Sequence, residues 1–246
     1  MKGLILAAGV GARLKPLTDT TPKALISVGG VPMLERVLVR LKAAGVKSFV
    51  VNAHHHAQKV ADFCAELSRR HGTPVSVSRE DDLLLDTGGA VKKAAALLKG
   101  REPFFIHNAD VLSDLDLKAL LKAHKESGAL ATLAVHERES GRAFLFDAKG
   151  RFAGHDRGEG KITWAKGQVP NPARLPFDGV HVVSPEMLDK ITESGAFSIT
   201  KTYLRLAAAG ADIRAFRTDQ WAWHDIGTVE KLAAAEAWAA SRPAAA

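Results

Sequence analysis

The residues best equipped for chemistry lie in the stretch LILAAGVGARLKPLTDTTPKAL, residues 4–25. Gly9 and Gly11 permit backbone geometry closed to other residues and let amides approach an anion closely. Arg13 and Lys23, ten residues apart, add two cations. Arginine grips phosphate oxygens with a planar fork, and lysine acts as a point charge. Pro22 biases Thr21 toward an extended backbone, which helps fix where Lys23 points. Two common phosphate loops are excluded: GVGARL lacks the GK[ST] of a P-loop, and Leu14 stands where G-x-G-x-x-G needs its third glycine. Two cations beside a run of amides suit a nucleoside triphosphate whose charge shifts during reaction. A GxG taken alone reads as a solvated loop with two surface charges; the full string is what points to phosphate.

Two aspartates follow apolar runs: Asp110 in PFFIHNADVLSDLDL and Asp225 in WAWHDIGT. Asp110 falls at the carboxyl end of an expected strand, on the crevice side of a parallel sheet. Carboxylate oxygens are the donors magnesium prefers, with phosphate and water completing its shell. Taken singly, either aspartate is also a helix cap or a solvated turn, which is the reading given to Asp114 and Asp116. Gly88 and Gly89 in LDTGGAVKKA open a helix; they allow either a ligand or a tight strand-to-helix turn, with Asp86 as a cap. The triplet His54–His56 reads as a polar loop, because adjacent side chains cannot converge on one ion. Trp221 and Trp223 alternate as on a strand and read as packing. Cys64, the one cysteine, reads as a buried inert thiol and excludes a disulfide framework.

These residues need a scaffold. Apolar runs at 3–8, 48–53, 74–78, 103–108 and 129–135 read as buried strands, and helical patterns ending in glycine lie between them. The alternation predicts an α/β fold with a mainly parallel sheet and helices on both faces. The regularity breaks over 136–183, read as an irregular insertion with a hairpin turning at AKG (148–150). Helices are expected at 185–192 and 198–209, within one domain spanning 1–240, and 241–246 reads as a frayed tail. Hydrophobic residues make up 46% of the 246, enough for a sizeable core. The net charge of +7 favours a negatively charged substrate or partner. No basic run and only 6% aromatic residues argue against nucleic acid. The apolar run of MKGLILAAG stops at Gly9, so neither a signal peptide nor a membrane span is expected, and a cytoplasmic location follows by default.

The combined pattern L-A-A-G-x-G-x-R-L, then P-K, then G-x-P-M resembles the nucleotidyltransferases that make nucleotide sugars from sugar 1-phosphates. LDTGGAVKKA, NAD and WHDIGT extend the resemblance over nearly the whole chain. It implies a three-layer α/β/α, Rossmann-like nucleotide-diphospho-sugar transferase fold. It also implies Mg²⁺-dependent attack of a sugar 1-phosphate on the α-phosphorus of a nucleoside triphosphate. Carried over by position, Ala7, Ala8, Gly9, Gly11, Arg13, Lys23, Gly88 and Gly89 would contact the nucleotide, and Asp110 and Asp225 the metal. Arg13, Lys23 and Asp110 would be catalytic, and Asn108 and Gly179 would face the sugar. The family's Glu-Lys-Pro motif is absent, although Lys161 lies nearby. The length, LDTGG and WHDIGT resemble most the uridylyltransferases acting on N-acetylmuramic acid α-1-phosphate. Mannose-1-phosphate guanylyltransferases and glucose-1-phosphate thymidylyltransferases are the alternatives, and a silent nucleotide-sugar-binding subunit is the reading from another class. A monomer or small homo-oligomer is expected.

Overall fold

Apolar runs without polar alternation require a sheet covered on both faces. The computed structural model describes residues 1–242. Its central sheet contains β1 (Lys2–Leu6), β2 (Ser48–Ala53), β3 (Val75–Arg79), β4 (Phe104–Asn108), β5 (Ala131–Val135), β6 (Phe177–Val183) and β7 (Ile213–Arg217). The order is β7-β5-β6-β4-β1-β2-β3. Every neighbouring pair is parallel except the two made by β6, which runs antiparallel to β4 and β5.

Successive side chains of a strand point to opposite faces, so each strand feeds two cores. Ile5, Phe49, Val51 and Phe105 face a cluster built with α1 (Met33–Ala43), α2 (Ala57–His71) and α4 (Leu117–Ser127). Leu4, Val50, Phe104 and Ile106 face the other side, covered by α3 (Asp86–Lys93) and α5 (Ile199–Ala208). A third cluster joins Leu14 and Ile26 of the opening loop to Leu112, Ile226 and Ala235 of α6 (Val229–Ala240). That cluster folds the C-terminal helix against the first loop.

Residues 136–183 hold more regular structure than the sequence implies. Ala143–Phe146, Phe152–Asp156, Ile162–Trp164 and Ala173–Leu175 form a four-stranded antiparallel sheet, and β6 belongs to the central one. The AKG turn is present, with Asp147 Oδ1 accepting from the amides of Lys149 and Arg151 at 2.8 and 2.9 Å. The helix expected over 185–192 shortens to Glu186–Asp189. At the C-terminus, fraying does not begin at 241: the Arg242 guanidinium pairs with Asp114 at 2.7 Å and lies 4.4 Å from the Trp238 ring centroid. Residues 243–246 of the expected tail lie outside the described residues.

Three histidines are held neutral within this core. Burial pushes His107 and His124 down to about 4 and His181 to about 3, from an ordinary 6.5. His181 Nδ1 is hydrogen-bonded to Tyr203 Oη at 2.6 Å, and His124 bridges Thr132 and Ser184. The unfolded chain therefore takes up these protons near pH 6.5 while the folded one resists until about 4, so stability rises with pH across that window. The urea midpoint is expected to be flat above pH 7 and to fall progressively from about 6.5 toward 4. A midpoint constant over that interval contradicts the buried neutral histidines.

Candidate active site

In an open parallel sheet the crevice lies beyond the carboxyl ends of the strands, and the site forms there, past β1, β2 and β4. A cleft of about 250 Å³ is lined by Ala7, Ala8, Gly9, Lys23, Asn52, Leu84, Asp86, Thr87, Asn108 and Asp110, among others. The turn after β1 is fixed from two sides: the Ala7 amide donates to Asn52 Oδ1 at 2.6 Å, and the Ala109 amide donates to the Leu6 carbonyl at 2.9 Å. A Cβ on Gly9 would meet no protein atom within 4 Å. Protein packing thus does not require glycine there, and the loop is open on that side. Gly11 differs. Its φ is +68°, and a Cβ there would lie 2.7 Å from Thr18 Cγ2 and 3.2 Å from Lys23 Cβ. Glycine at 11 lets the loop fold back and seat Lys23 in the cleft.

Asp110 and Asp225, far apart in sequence, come together on one short ladder. Val111–Ser113 pairs antiparallel with Trp223–Asp225, placing Asp225 opposite Val111. The next rung is the Ile226 amide donating to the Asp110 carbonyl at 3.0 Å. Each carboxylate is paired with a lysine, Asp110 with Lys23 and Asp225 with Lys231 of α6. Asp225 Oδ1 also accepts from the Gly227 amide at 2.8 Å. Arg13, exposed on the turn Ala12–Leu14, reaches the same corner. A Cβ on Gly227 would stand 3.1 Å from Arg13 Nη2 and 2.5 Å from Asp225 Oδ1. A side chain at 227 would wedge between them.

The donor chemistry suits a hard divalent cation: Asp110, in the turn before Val111–Ser113, and Asp225, at the end of Trp223–Asp225, are partly exposed carboxylates, and Asp110 lines the cleft. Among the described residues no group of three or more His, Cys, Asp or Glu could hold a metal. The three histidines diverge, His54 to the Glu80 carbonyl, His55 to that of Thr18 and His56 to that of Asp19. Cys64 is buried, and its thiol is pushed up to about 12.

Asn108 lines the cleft, and Gly179 supports it from behind. Gly179 has φ +78°, and a Cβ on it would lie 2.7 Å from Asn108 Nδ2. Gly88 and Gly89, read from the sequence as nucleotide contacts, lie behind the cleft wall in this structure. Both are buried against the 195–199 segment, their amides donate to the Phe197 carbonyl, and neither lines the cleft. A Cβ on Gly88 would lie 2.4 Å from the Phe197 ring, and one on Gly89 would lie 2.7 Å from the Gly195 carbonyl oxygen. Gly88→Ala is expected to cost about 1–3 kcal/mol of stability through overpacking, read from urea unfolding. Unchanged stability with weakened nucleotide binding restores the contact reading. Asp86 and Thr87, immediately before them, line the cleft instead. Asp114 is also corrected: Asp116 caps α4, whereas Asp114 accepts from the Ala222 amide at 2.6 Å and tethers the second strand of the ladder.

Sequence reading missed Asn52, Glu80, Gly227 and Lys231. Glu80 is 1% exposed, and its carboxylate accepts from Asn52 Nδ2 at 2.8 Å and from the Leu85 amide at 2.9 Å. Together with the Ala7 bond, this ties the first loop to the segment carrying Leu84 and Asp86. The available signal was a polar residue closing each of two apolar strands.

Comparison with known proteins shows the family. The family model for nucleotidyl transferases matches residues 2–146. An N-acetylmuramate alpha-1-phosphate uridylyltransferase from Neisseria meningitidis is 32% identical over 97% of this chain and 98% of its own length. A mannose-1-phosphate guanyltransferase from Yarrowia lipolytica is 31% identical over 92% of this chain, which spans 61% of that relative. Among solved structures, a UDP-glucose pyrophosphorylase from Acinetobacter baumanii superposes with a TM-score of 0.79 at 17% identity, covering 99% of this chain and 94% of that one. No described helix is long and apolar enough to cross a membrane.

Proposed function

The chain belongs to the nucleotidyl transferase family, and on that footing we propose the reaction it catalyses. A nucleotidyl group passes from a nucleoside triphosphate, UTP by preference, to a sugar 1-phosphate, with N-acetylmuramic acid α-1-phosphate as the favoured acceptor. The products are a nucleotide sugar and pyrophosphate. The observation that carries this reading is the joining of Asp110 and Asp225 on one ladder beside the first loop and Lys23.

The attacking phosphate is already ionised near neutral pH, so the reaction needs charge management and alignment more than a base. The residues present match that demand. The backbone of residues 7–11 offers close approach to the triphosphate, held in shape by Asn52. Lys23 places its ammonium beside Asp110 at the reacting end of the cleft, and Arg13 covers the corner by Asp225. Asp110 and Asp225 would hold Mg²⁺, which supplies positive charge to the α-phosphate. The uridylyl and muramyl preference is supported by the relative of that name, which this chain matches end to end. The guanyltransferase relative supports the alternative pairing of GTP with mannose 1-phosphate.

The test is pyrophosphate release with magnesium, four nucleoside triphosphates and a panel of sugar 1-phosphates. UTP with N-acetylmuramic acid α-1-phosphate is expected to give the highest kcat/KM. A preference for GTP and mannose 1-phosphate overturns the substrate assignment and leaves the reaction. Release with no pair overturns the reaction.

A further inference from the structure

Beyond Asn108, the cleft adjoins a second pocket of about 260 Å³. Two contacts link the linings of the cleft and this pocket. Thr87 of the cleft accepts a hydrogen bond at 2.9 Å from the amide of Ile199, whose neighbours Ser198 and Thr200 line the second pocket. Gly179, against Asn108, lies two residues after Phe177, which forms one wall. Phe144 and Phe177 stack there with ring centroids 5.2 Å apart and planes inclined by 29°. An acceptor whose phosphate lies by Asp110 would extend its sugar toward this pocket.

The charge lining it is one-sided. Arg138, Arg142 and His155 face the pocket, and no carboxylate does. Arg138 is neutralised from below: Nη1 donates to the buried Asp178 carboxylate at 2.7 Å, and Nη2 to the Phe177 carbonyl at 2.8 Å. Burial, then the positive charges of Arg142 and Arg157, holds the His155 imidazole below its usual range, so it is uncharged near neutrality. Arg174 and Lys161 nearby are paired with Asp156 and Glu159. Arg142 is exposed and has no ion pair among the described residues. One guanidinium is therefore left facing a pocket with an apolar wall, and a single carboxylate balances it with matching fork geometry.

We propose that this pocket is an anion-recognising annex of the acceptor site, in which Arg142 reads a carboxylate carried by the sugar 1-phosphate. The proposal rests on the transferase reading. It assigns the acceptor to the class of acidic sugar phosphates with Arg142 as the residue that selects it, and the aromatic wall takes the apolar part of the acid-bearing substituent.

The test uses two acceptors that differ by the carboxylate-bearing ether: N-acetylmuramic acid α-1-phosphate and N-acetylglucosamine α-1-phosphate. The wild type is expected to favour the acid by ~10–100-fold in kcat/KM, the scale of a hydrogen bond to a charged group. R142Q is expected to collapse that ratio by a similar factor, mainly through KM for the acid, and R142K to restore part of it. A ratio that moves less than about threefold in R142Q, or a wild type that prefers the neutral acceptor, overturns the annex while leaving nucleotidyl transfer standing. If no acceptor gives pyrophosphate, the transferase reading fails on its own. Calorimetric binding of the two sugar phosphates to wild type and R142Q then decides the annex: affinity that needs both carboxylate and Arg142 sustains it, and equal affinities refute it.

Discussion

Asp110→Asn is expected to lower kcat by ~10²–10³, the cost of removing one preorganised electrostatic contact from a reacting phosphate, with the urea midpoint retained. The carboxylate is 30% exposed and its main-chain carbonyl holds the ladder to Ile226, so the substitution keeps size and backbone bonding while deleting charge. Lys23 loses its ion pair in the same variant, but an ammonium at 13% exposure beside solvent keeps partial hydration. The loss should appear in kcat and kcat/KM together, because the interaction matters most when charge redistributes in the transition state. Asp225→Asn should behave alike, tempered by its remaining bond to the Gly227 amide. Wild-type turnover in the Asp110 variant removes that residue from the reacting centre.

Asp178→Ala is expected to be the most destabilising single change near the site, at about 3–5 kcal/mol, because it strands a charge whose partner was buried. Asp178 is 2% exposed. Its carboxylate accepts from His136 Nδ1 and Arg138 Nη1 at 2.7 Å each and from Thr218 Oγ1, and its carbonyl accepts from Trp223 Nε1 at 2.9 Å. The Arg138 guanidinium also lies 4.0 Å from the centroid of the Trp223 ring. This network joins β6 to the strand that ends in Asp225, so the tryptophan read as packing also secures the ladder that carries Asp225. For a chain of this length the loss corresponds to a fall in Tm of ~6–20 °C. Asp178→Asn, which keeps the shape and some hydrogen bonds, should lose less. Stability within about 0.5 kcal/mol of wild type in the alanine variant, the scatter typical of surface positions, contradicts the network.

The central sheet was legible because its inner strands are buried on both faces, and Leu4 beside Ile5 or Val50 beside Val51 leaves an unbroken apolar run. The side sheet was not, since three-residue strands such as Ile162–Trp164 and Ala173–Leu175 are too short to display a period. Within the site, Lys23, Asp110 and Gly9 were readable from residue type in a recognisable order, and the fold places all three along one cleft. Gly88 and Gly89 are ambiguous in the sequence because a missing Cβ serves a ligand and a neighbouring chain equally. Only the fold shows that Phe197, more than a hundred residues on, packs against Gly88. Asn52 and Glu80 were silent for a similar reason: their bond exists only because β2 and β3 pair in parallel with Asn52 opposite Ser78. Lys231 lies in the first turn of α6, and its approach to Asp225 depends on the Leu14–Ile226–Ala235 cluster that docks that helix.

The most direct measurement is anomalous diffraction from crystals grown with UTP and Mn²⁺ in place of Mg²⁺. The account predicts a manganese peak ligated by carboxylate oxygens of both Asp110 and Asp225, with a phosphate oxygen completing the contact. Manganese in this cleft touching only one of the two aspartates, or bound elsewhere with nucleotide in place, contradicts it.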